Sequence, residues 1–226
     1  MRKLKASKLS VLALIGVLCL TPIGASAGGE ENYNVSKKAE EYGQEQTVMM
    51  NVHKNYIYIN GMKIKVKADT ARGKFLAEVL SKVGSPYAWG AEGEPWTGKL
   101  VTAYGSPVTW DDLNFDYERC IGKPSYDCSG LVKEGMDEVG VKVPHYSGSQ
   151  CSTKYGGTVI DTSNGIDELQ AGDIAGDGNH VVVYIGDGYI IEAPYTGASV
   201  RIISMEERFG GDRFPDSYTC VRYFSE

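Results

Sequence analysis

Apolar and polar residues change rhythm several times along this chain, and each change predicts an element. Val48, Met50 and Val52 alternate with polar neighbours; Tyr56-Ile57-Tyr58-Ile59 and Met62-Lys63-Ile64-Lys65-Val66 then flank Asn60-Gly61. Asn-Gly between two β-rich runs predicts a hairpin. An isolated hairpin is marginal in water, so the stretch 47–69 is expected to pack on the domain C-terminal to it. Phe75, Leu76, Val79, Leu80 and Val83 fall on one face at helical spacing, which predicts a helix over 70–83, capped by Asp69 or Thr70 and stopped by Gly84 and Pro86. A second helix is expected from Asp127 to Val139, with Leu131, Val132, Gly135, Met136 and Val139 inward and Gly140 closing it. Beyond it the period shortens. His180–Ile185, a Gly186-Asp187-Gly188 turn, Tyr189–Ala193, Val200–Ile203 and Tyr218–Phe224 read as antiparallel strands. Helices first and sheet afterwards is an α+β layout.

The remaining segments lack such a period. Residues 91–125 show none, yet contain Trp96, Tyr104, Trp110, Phe115 and Tyr117, too aromatic for a plain tether. This stretch is expected to be an ordered insertion folded beside the groove, where it selects substrates; surface decoration is the alternative. Residues 28–46 are rich in Glu, Lys, Gly and Asn and are expected to form a flexible linker. Residues 1–27 combine Arg2, Lys3, Lys5 and Lys8, an apolar run Leu9–Leu20, and an Ala25-Ser26-Ala27 ending. That is the pattern of a cleaved secretory signal, too short for a permanent span. Cys19 comes after Leu18, where a lipoprotein signal has a small residue, so lipidation is not expected. The main domain would then be 70–226, in a secreted protein.

Export alters the charge. Removing four basic and no acidic residues from a formal −6 leaves about −10, which gives no electrostatic reason to bind nucleic acid. It also leaves Cys120, Cys128, Cys151 and Cys220 where disulfides can form. A Cys120–Cys151 bridge pinning the insertion is expected, with Cys220 as an alternative partner for either.

Three residues carry candidate chemistry. Cys128 sits at the predicted start of the second helix, where free N–H groups and the helix dipole favour a thiolate and can hold an oxyanion. The alternative is a small buried cysteine. His180 opens a strand after Gly176-Asp177-Gly178-Asn179 and is the candidate base; the alternative is a strand-edge histidine without a role. His53, in the N-terminal β-rich stretch, reads as an ordinary strand or turn position. Glu192 lies across the turn from His180. With a three-residue loop Val182 would pair with Glu192, making Glu192 a diagonal neighbour able to take the imidazole Nδ1 proton. A two-residue loop would put the pair on opposite faces, and a solvated edge Glu is the alternative.

Five motifs in order, Ser85-Pro86-Tyr87-Ala88-Trp89-Gly90, Asp127-Cys128-Ser129-Gly130-Leu131-Val132, Leu169-Gln170-Ala171-Gly172-Asp173-Ile174, His180 to Gly188 and Ile191-Glu192-Ala193-Pro194, resemble the NlpC/P60 family of cell-wall peptidases from about Thr70 to the C-terminus. The resemblance implies a papain-like fold, with the nucleophile-bearing helix packed on an antiparallel sheet. It implies Cys128 as nucleophile, His180 as base and Glu192 at the third position, which is often His in the family. It places Tyr87 beside the nucleophile and Asp127 and Ser129 near the peptide's amino end. The implied reaction is cleavage of D-glutamyl–diamino-acid bonds in peptidoglycan stem peptides through an acyl-enzyme, with no metal or other cofactor. An amidase, a transpeptidase or an inactive wall-binding module are the alternatives. Two departures are a long insertion between Tyr87 and Cys128, and Val182 where relatives usually have Gly, which could crowd the cleft.

Overall fold

The structure is a computed structural model and describes residues 33–41, 44–59, 61–96, 100–101, 107–108, 120–163 and 165–225. The expected signal segment 1–27 and most of the insertion's interior lie outside the described residues.

The chain opens with a four-stranded antiparallel meander, β1 (Tyr33–Glu41), β2 (Gln44–His53), β3 (Tyr56–Ile59) and β4 (Met62–Lys65). The hairpin expected at 47–69 is present: Ile59 pairs with Met62 across a two-residue turn in which Gly61 has φ +83°. The linker expected over 28–46 is different. Tyr33–Glu41 forms a strand paired with Gln44–Val52, so the appendage has twice the expected number of strands. A backbone ladder needs no apolar side chains, so composition alone hides it. Met50, Val52, Ile57, Ile59, Ile64 and Val66 are buried in one core with Phe75, Leu76, Leu131 and Met136. The meander therefore packs on the helices of the main domain.

Helix α1 (Ala71–Leu80) is capped by Thr70, whose Oγ1 accepts from the Gly73 N–H at 3.1 Å. It crosses helix α2 (Cys128–Glu138) at Gly135, where only a missing side chain lets Phe75 and Val79 approach. Between them, β5 (Glu92–Pro95), two short strands β6 (Leu100–Val101) and β7 (Pro107–Val108), and β8 (Pro124–Tyr126) belong to the insertion. After α2 come α3 (Ser147–Gln150), a 3-10 turn (Thr153–Tyr155) and β9 (Thr158–Ile160). The remainder is β10 (Ile174–Gly176), β11 (Val181–Gly186), β12 (Tyr189–Glu192), β13 (Arg201–Ser204), α4 (Met205–Phe209) and β14 (Thr219–Arg222).

Six of these strands form one antiparallel sheet in the order β13-β12-β11-β10-β14-β9. The architecture is α+β, as expected. Alternation divides β11 between two cores. Val181, Val183 and Ile185 face α1 and α2, while Val182 and Tyr184 join Ala175, Ile190, Ile203 and Phe214 on the opposite face. Val182 is thus packed within that second core. The Leu169–Ile174 motif is a brace. Asp173, buried, takes Arg222 Nε at 2.8 Å and Nη2 at 2.7 Å, and Arg72 of α1 reaches Gln170 and the Phe224 carbonyl.

The helix crossing makes a stability prediction. A Cβ at Gly135 would lie 2.6 Å from Val79 Cγ1 and 2.8 Å from Phe75 Cδ2. Gly135→Val should therefore lower stability by about 1–3 kcal/mol, seen as an earlier urea midpoint with the slope of the transition unchanged.

Candidate active site

Cys128 is the first residue of α2, and the residue before it is the cap. Asp127 Oδ1 accepts from the Gly130 N–H at 2.7 Å and from Ser129 Oγ at 3.1 Å, and Oδ2 accepts from the Gly90 N–H at 2.8 Å. The helix start is further held by Gln150, whose Nε2 donates to the carbonyls of Ser129 at 2.8 Å and Pro144 at 2.9 Å. Gly130 is needed for a second reason: a Cβ there would lie 2.1 Å from the Ala91 carbonyl oxygen.

The electrostatics of Cys128 differ from the simple helix-end expectation. Burial, and then the charge of Asp127, push the thiol up to about 12, against the N–H groups of Val181, Ser129 and Cys128 that favour the thiolate. The dipole is present but outweighed, because the sulfur is buried and its neighbour is an anion. The Val181 N–H also places the sulfur at the mouth of β11, one residue from His180.

His180 is set by a tight turn in which Asp177 Oδ1 accepts from the N–H groups of Asn179 and His180, both at 2.9 Å. Its Nε2 lies 2.8 Å from Glu192 Oε2. The partnership is as expected but the ring nitrogen is not: Glu192 meets Nε2, leaving Nδ1 as the other nitrogen. The ladder register beside the site is the expected one, but the turn that produces it is not. The loop holds two residues, Asp187 and Gly188, with φ of +51° and +75°, and Gly186 pairs with Tyr189. A bulge at Ile185 then shifts the ladder by one, so Val183 pairs with Ile191. The bulge cancels the phase change that a two-residue loop alone would have caused.

Glu192 is fully buried and is held by two arginines that the motifs do not include. Oε1 accepts from Arg201 Nε at 3.0 Å and Nη2 at 2.8 Å, and Arg208 Nε lies 3.2 and 3.1 Å from the two oxygens. Burial alone would raise this carboxyl, but the His180 hydrogen bond and charge, with Arg208 and Arg201, hold it down at about 2. Arg201 lies directly opposite Glu192 in the β12–β13 register, so strand pairing contains a signal for it. Arg208 comes from α4, and no pattern in the sequence points to it.

His145 is a further residue that sequence reasoning misses. It comes after Val143-Pro144, where no period signals a role, and its Nε2 lies 2.8 Å from Asp127 Oδ1. The remaining expected residues are close by. Ser129 is buried with its hydroxyl on Asp127, and Tyr87 is buried and bridges Tyr126, two residues before Cys128. The four described cysteines are buried, and the expected Cys120–Cys151 bridge is not formed. Cys120 Sγ instead donates to the Tyr87 carbonyl at 3.4 Å, and Cys151 packs against Gly176. The insertion is pinned by its own ladder: Glu92 pairs with Tyr126 and Pro95 with Pro124.

The order and spacing of these residues agree with a known family. The family model described as "NlpC/P60 family" matches residues 84–217, more than half of the chain. The chain belongs to the NlpC/P60 family. Peptidoglycan endopeptidase RipA of Mycobacterium tuberculosis is 32% identical over 127 residues, covering 54% of this chain and 22% of that protein. Murein DD-endopeptidase MepH of Escherichia coli is 26% identical over 153 residues, covering 64% of this chain and 44% of that protein. The match thus spans less than half the length of either relative. Among solved structures, a hypothetical invasion protein of Mycobacterium tuberculosis superposes with a TM-score of 0.46 at 29% identity, over 68% of this chain and 62% of that one. Among the described residues no helix is long and apolar enough to cross a membrane.

The buried carboxylate makes a pH prediction. With its folded value near 2 against an ordinary 4.5, ionised Glu192 contributes stability above about 4.5, and that contribution is lost as pH falls through its folded value. Glu192→Gln should therefore lower the melting temperature clearly at pH 6. The gap to the unsubstituted protein should narrow steadily as pH falls below 4.5. A gap that stays constant with pH would exclude this role of the charge.

Proposed function

We propose that this chain is a secreted peptidoglycan hydrolase, a cysteine endopeptidase that cleaves the D-glutamyl–diamino-acid bond of stem peptides. The observation that carries the reading is the His180–Glu192 hydrogen bond, held by contacts from two arginines and set one residue from the N–H group that meets the Cys128 sulfur. Family membership and the peptidoglycan endopeptidases among the relatives support it.

In this mechanism the resting thiol ionises only as its proton moves to His180, because burial disfavours a free thiolate. Nδ1 receives that proton, since Nε2 is committed to Glu192. The sulfur attacks the amide carbonyl, and N–H groups at the start of α2 stabilise the resulting oxyanion. His180 then protonates the departing amine as the C–N bond breaks, leaving an acyl-enzyme that water hydrolyses with His180 again as base. Ionised Glu192 stabilises the imidazolium in both halves. Tyr87 flanks the nucleophile on the substrate side. The grip of Asp127 and Ser129 on the peptide's amino end must share atoms with the bonds that cap α2 and hold the Ser129 hydroxyl.

Mass spectrometry of purified stem peptides after incubation tests the bond, and a product joined to an acceptor amine would instead indicate a transpeptidase. Cys128→Ala should abolish hydrolysis while leaving the melting curve nearly unchanged. His180→Ala should cost about 10²–10⁴-fold in turnover, and Glu192→Gln less, since Gln can still orient the ring. An unchanged rate in Cys128→Ala would overturn the reading, and no hydrolysis by the unsubstituted protein would favour a wall-binding module.

A further inference from the structure

His145 stands outside the Cys128–His180–Glu192 set, on the loop between α2 and α3, and both of its ring nitrogens face carboxylates. Nε2 lies 2.8 Å from Asp127 Oδ1 and Nδ1 lies 3.4 Å from Glu92 Oε2. Nε2 is hydrogen-bonded to Asp127, whereas Glu92 Oε2 takes no hydrogen bond from Nδ1 and acts on the ring through its charge alone. Asp127 immediately precedes the nucleophile, and its negative charge is one of the two influences that hold the Cys128 thiol up. Glu92 opens the insertion and also meets Lys133 Nζ of α2 at 3.2 Å.

We propose that His145 is a positioning residue whose imidazolium cancels the Asp127 charge beside the nucleophile, so that its protonation controls how readily the Cys128 thiol ionises. The inference rests on Cys128 being the nucleophile.

The charged groups around His145 support the cationic form. Burial pushes its pKa down, but the hydrogen bond to Asp127 and the charges of Asp127 and Glu92 outweigh burial and the opposing Lys133, leaving it raised. Lys133 is itself shared between Glu92 and Asp137, at 3.2 and 2.8 Å, which dilutes its repulsion. The Gln150 contacts to Ser129 and Pro144 fix the loop, so the imidazole cannot swing away without loosening the start of α2. Below the His145 pKa the cation offsets Asp127 and the thiol ionises more easily. Above it Asp127 stands uncompensated and the thiol pKa climbs.

The test is the rate of Cys128 alkylation by iodoacetamide from pH 5 to 10, quantified at that residue by peptide mass spectrometry. It needs no peptidoglycan, so its failure is separable from failure of the proposed substrate. In the unsubstituted protein the rate should rise with less than unit slope while His145 titrates, because the thiol pKa climbs as the cation is lost. His145→Arg, which keeps the charge at every pH, should restore unit slope. His145→Gln should show a single step at higher pH, with a rate at pH 7 lower by about tenfold, the size of one unit in thiol pKa. A merely structural role would not separate Arg from Gln in this way, and coincident profiles for the two would overturn the proposal. If either variant fails to fold, the His145 Cε1–H resonance of the unsubstituted protein supplies a second reading. Titration above the ordinary imidazole range is expected, and titration below it would equally overturn the proposal.

Discussion

One carboxylate organises the end of the molecule that holds Cys128. Asp127 caps α2 through the Gly130 N–H, holds the turn before the insertion through the Gly90 N–H, and takes the Ser129 hydroxyl and the His145 imidazole. These donors come from the helix, the turn and a distant loop, and all converge beside a single sulfur. A buried carboxylate is tolerated only when its lone pairs are used, and here they are. The same charge that secures the helix opposes ionisation of the next residue. In the proposed mechanism the conflict is met by transfer of the thiol proton to His180 as the sulfur attacks.

Glu192 is the counterpart at the other wall. It is fully buried, and a naked anion there would be neutralised by its surroundings. Two guanidinium groups and an imidazole keep it charged, and they also fix where its oxygens point. Arg201 is presented by the neighbouring strand and Arg208 by the short helix after it, so two elements converge on the carboxylate that meets His180. Polar burial of this kind contributes orientation more than net stability.

Much of this is legible in the sequence where local periodicity and covalent spacing decide the outcome. The apolar faces of α1 and α2, with Thr70 and Asp127 before them and a glycine after, determine both helices within a few residues. His180 and Glu192 can be paired because their separation along a hairpin is a matter of counting. The count reaches the right partnership through the wrong loop, since a bulge at Ile185 compensates for a shorter turn and bulges leave no compositional trace. Arg208 and His145 are invisible because their roles arise from contacts between elements distant in sequence. Strand β1 escapes notice for a related reason: its pairing lies in the backbone, and residues that look like tether can still complete a ladder.

The strands β5 and β8 lie side by side, with Asp127 N–H bonded to the Ala91 carbonyl at 2.9 Å and the Trp96 N–H to the Lys123 carbonyl at 3.0 Å. The chain therefore leaves the domain and returns to it through a stem closed by its own backbone hydrogen bonds. Doubling the length of a flexible loop on such a stem adds only about 0.6 kcal/mol of closure cost. The stem is a socket: segments of different size and chemistry can be exchanged there over evolutionary time, or by grafting, while the cap, the sulfur and the imidazole keep their places.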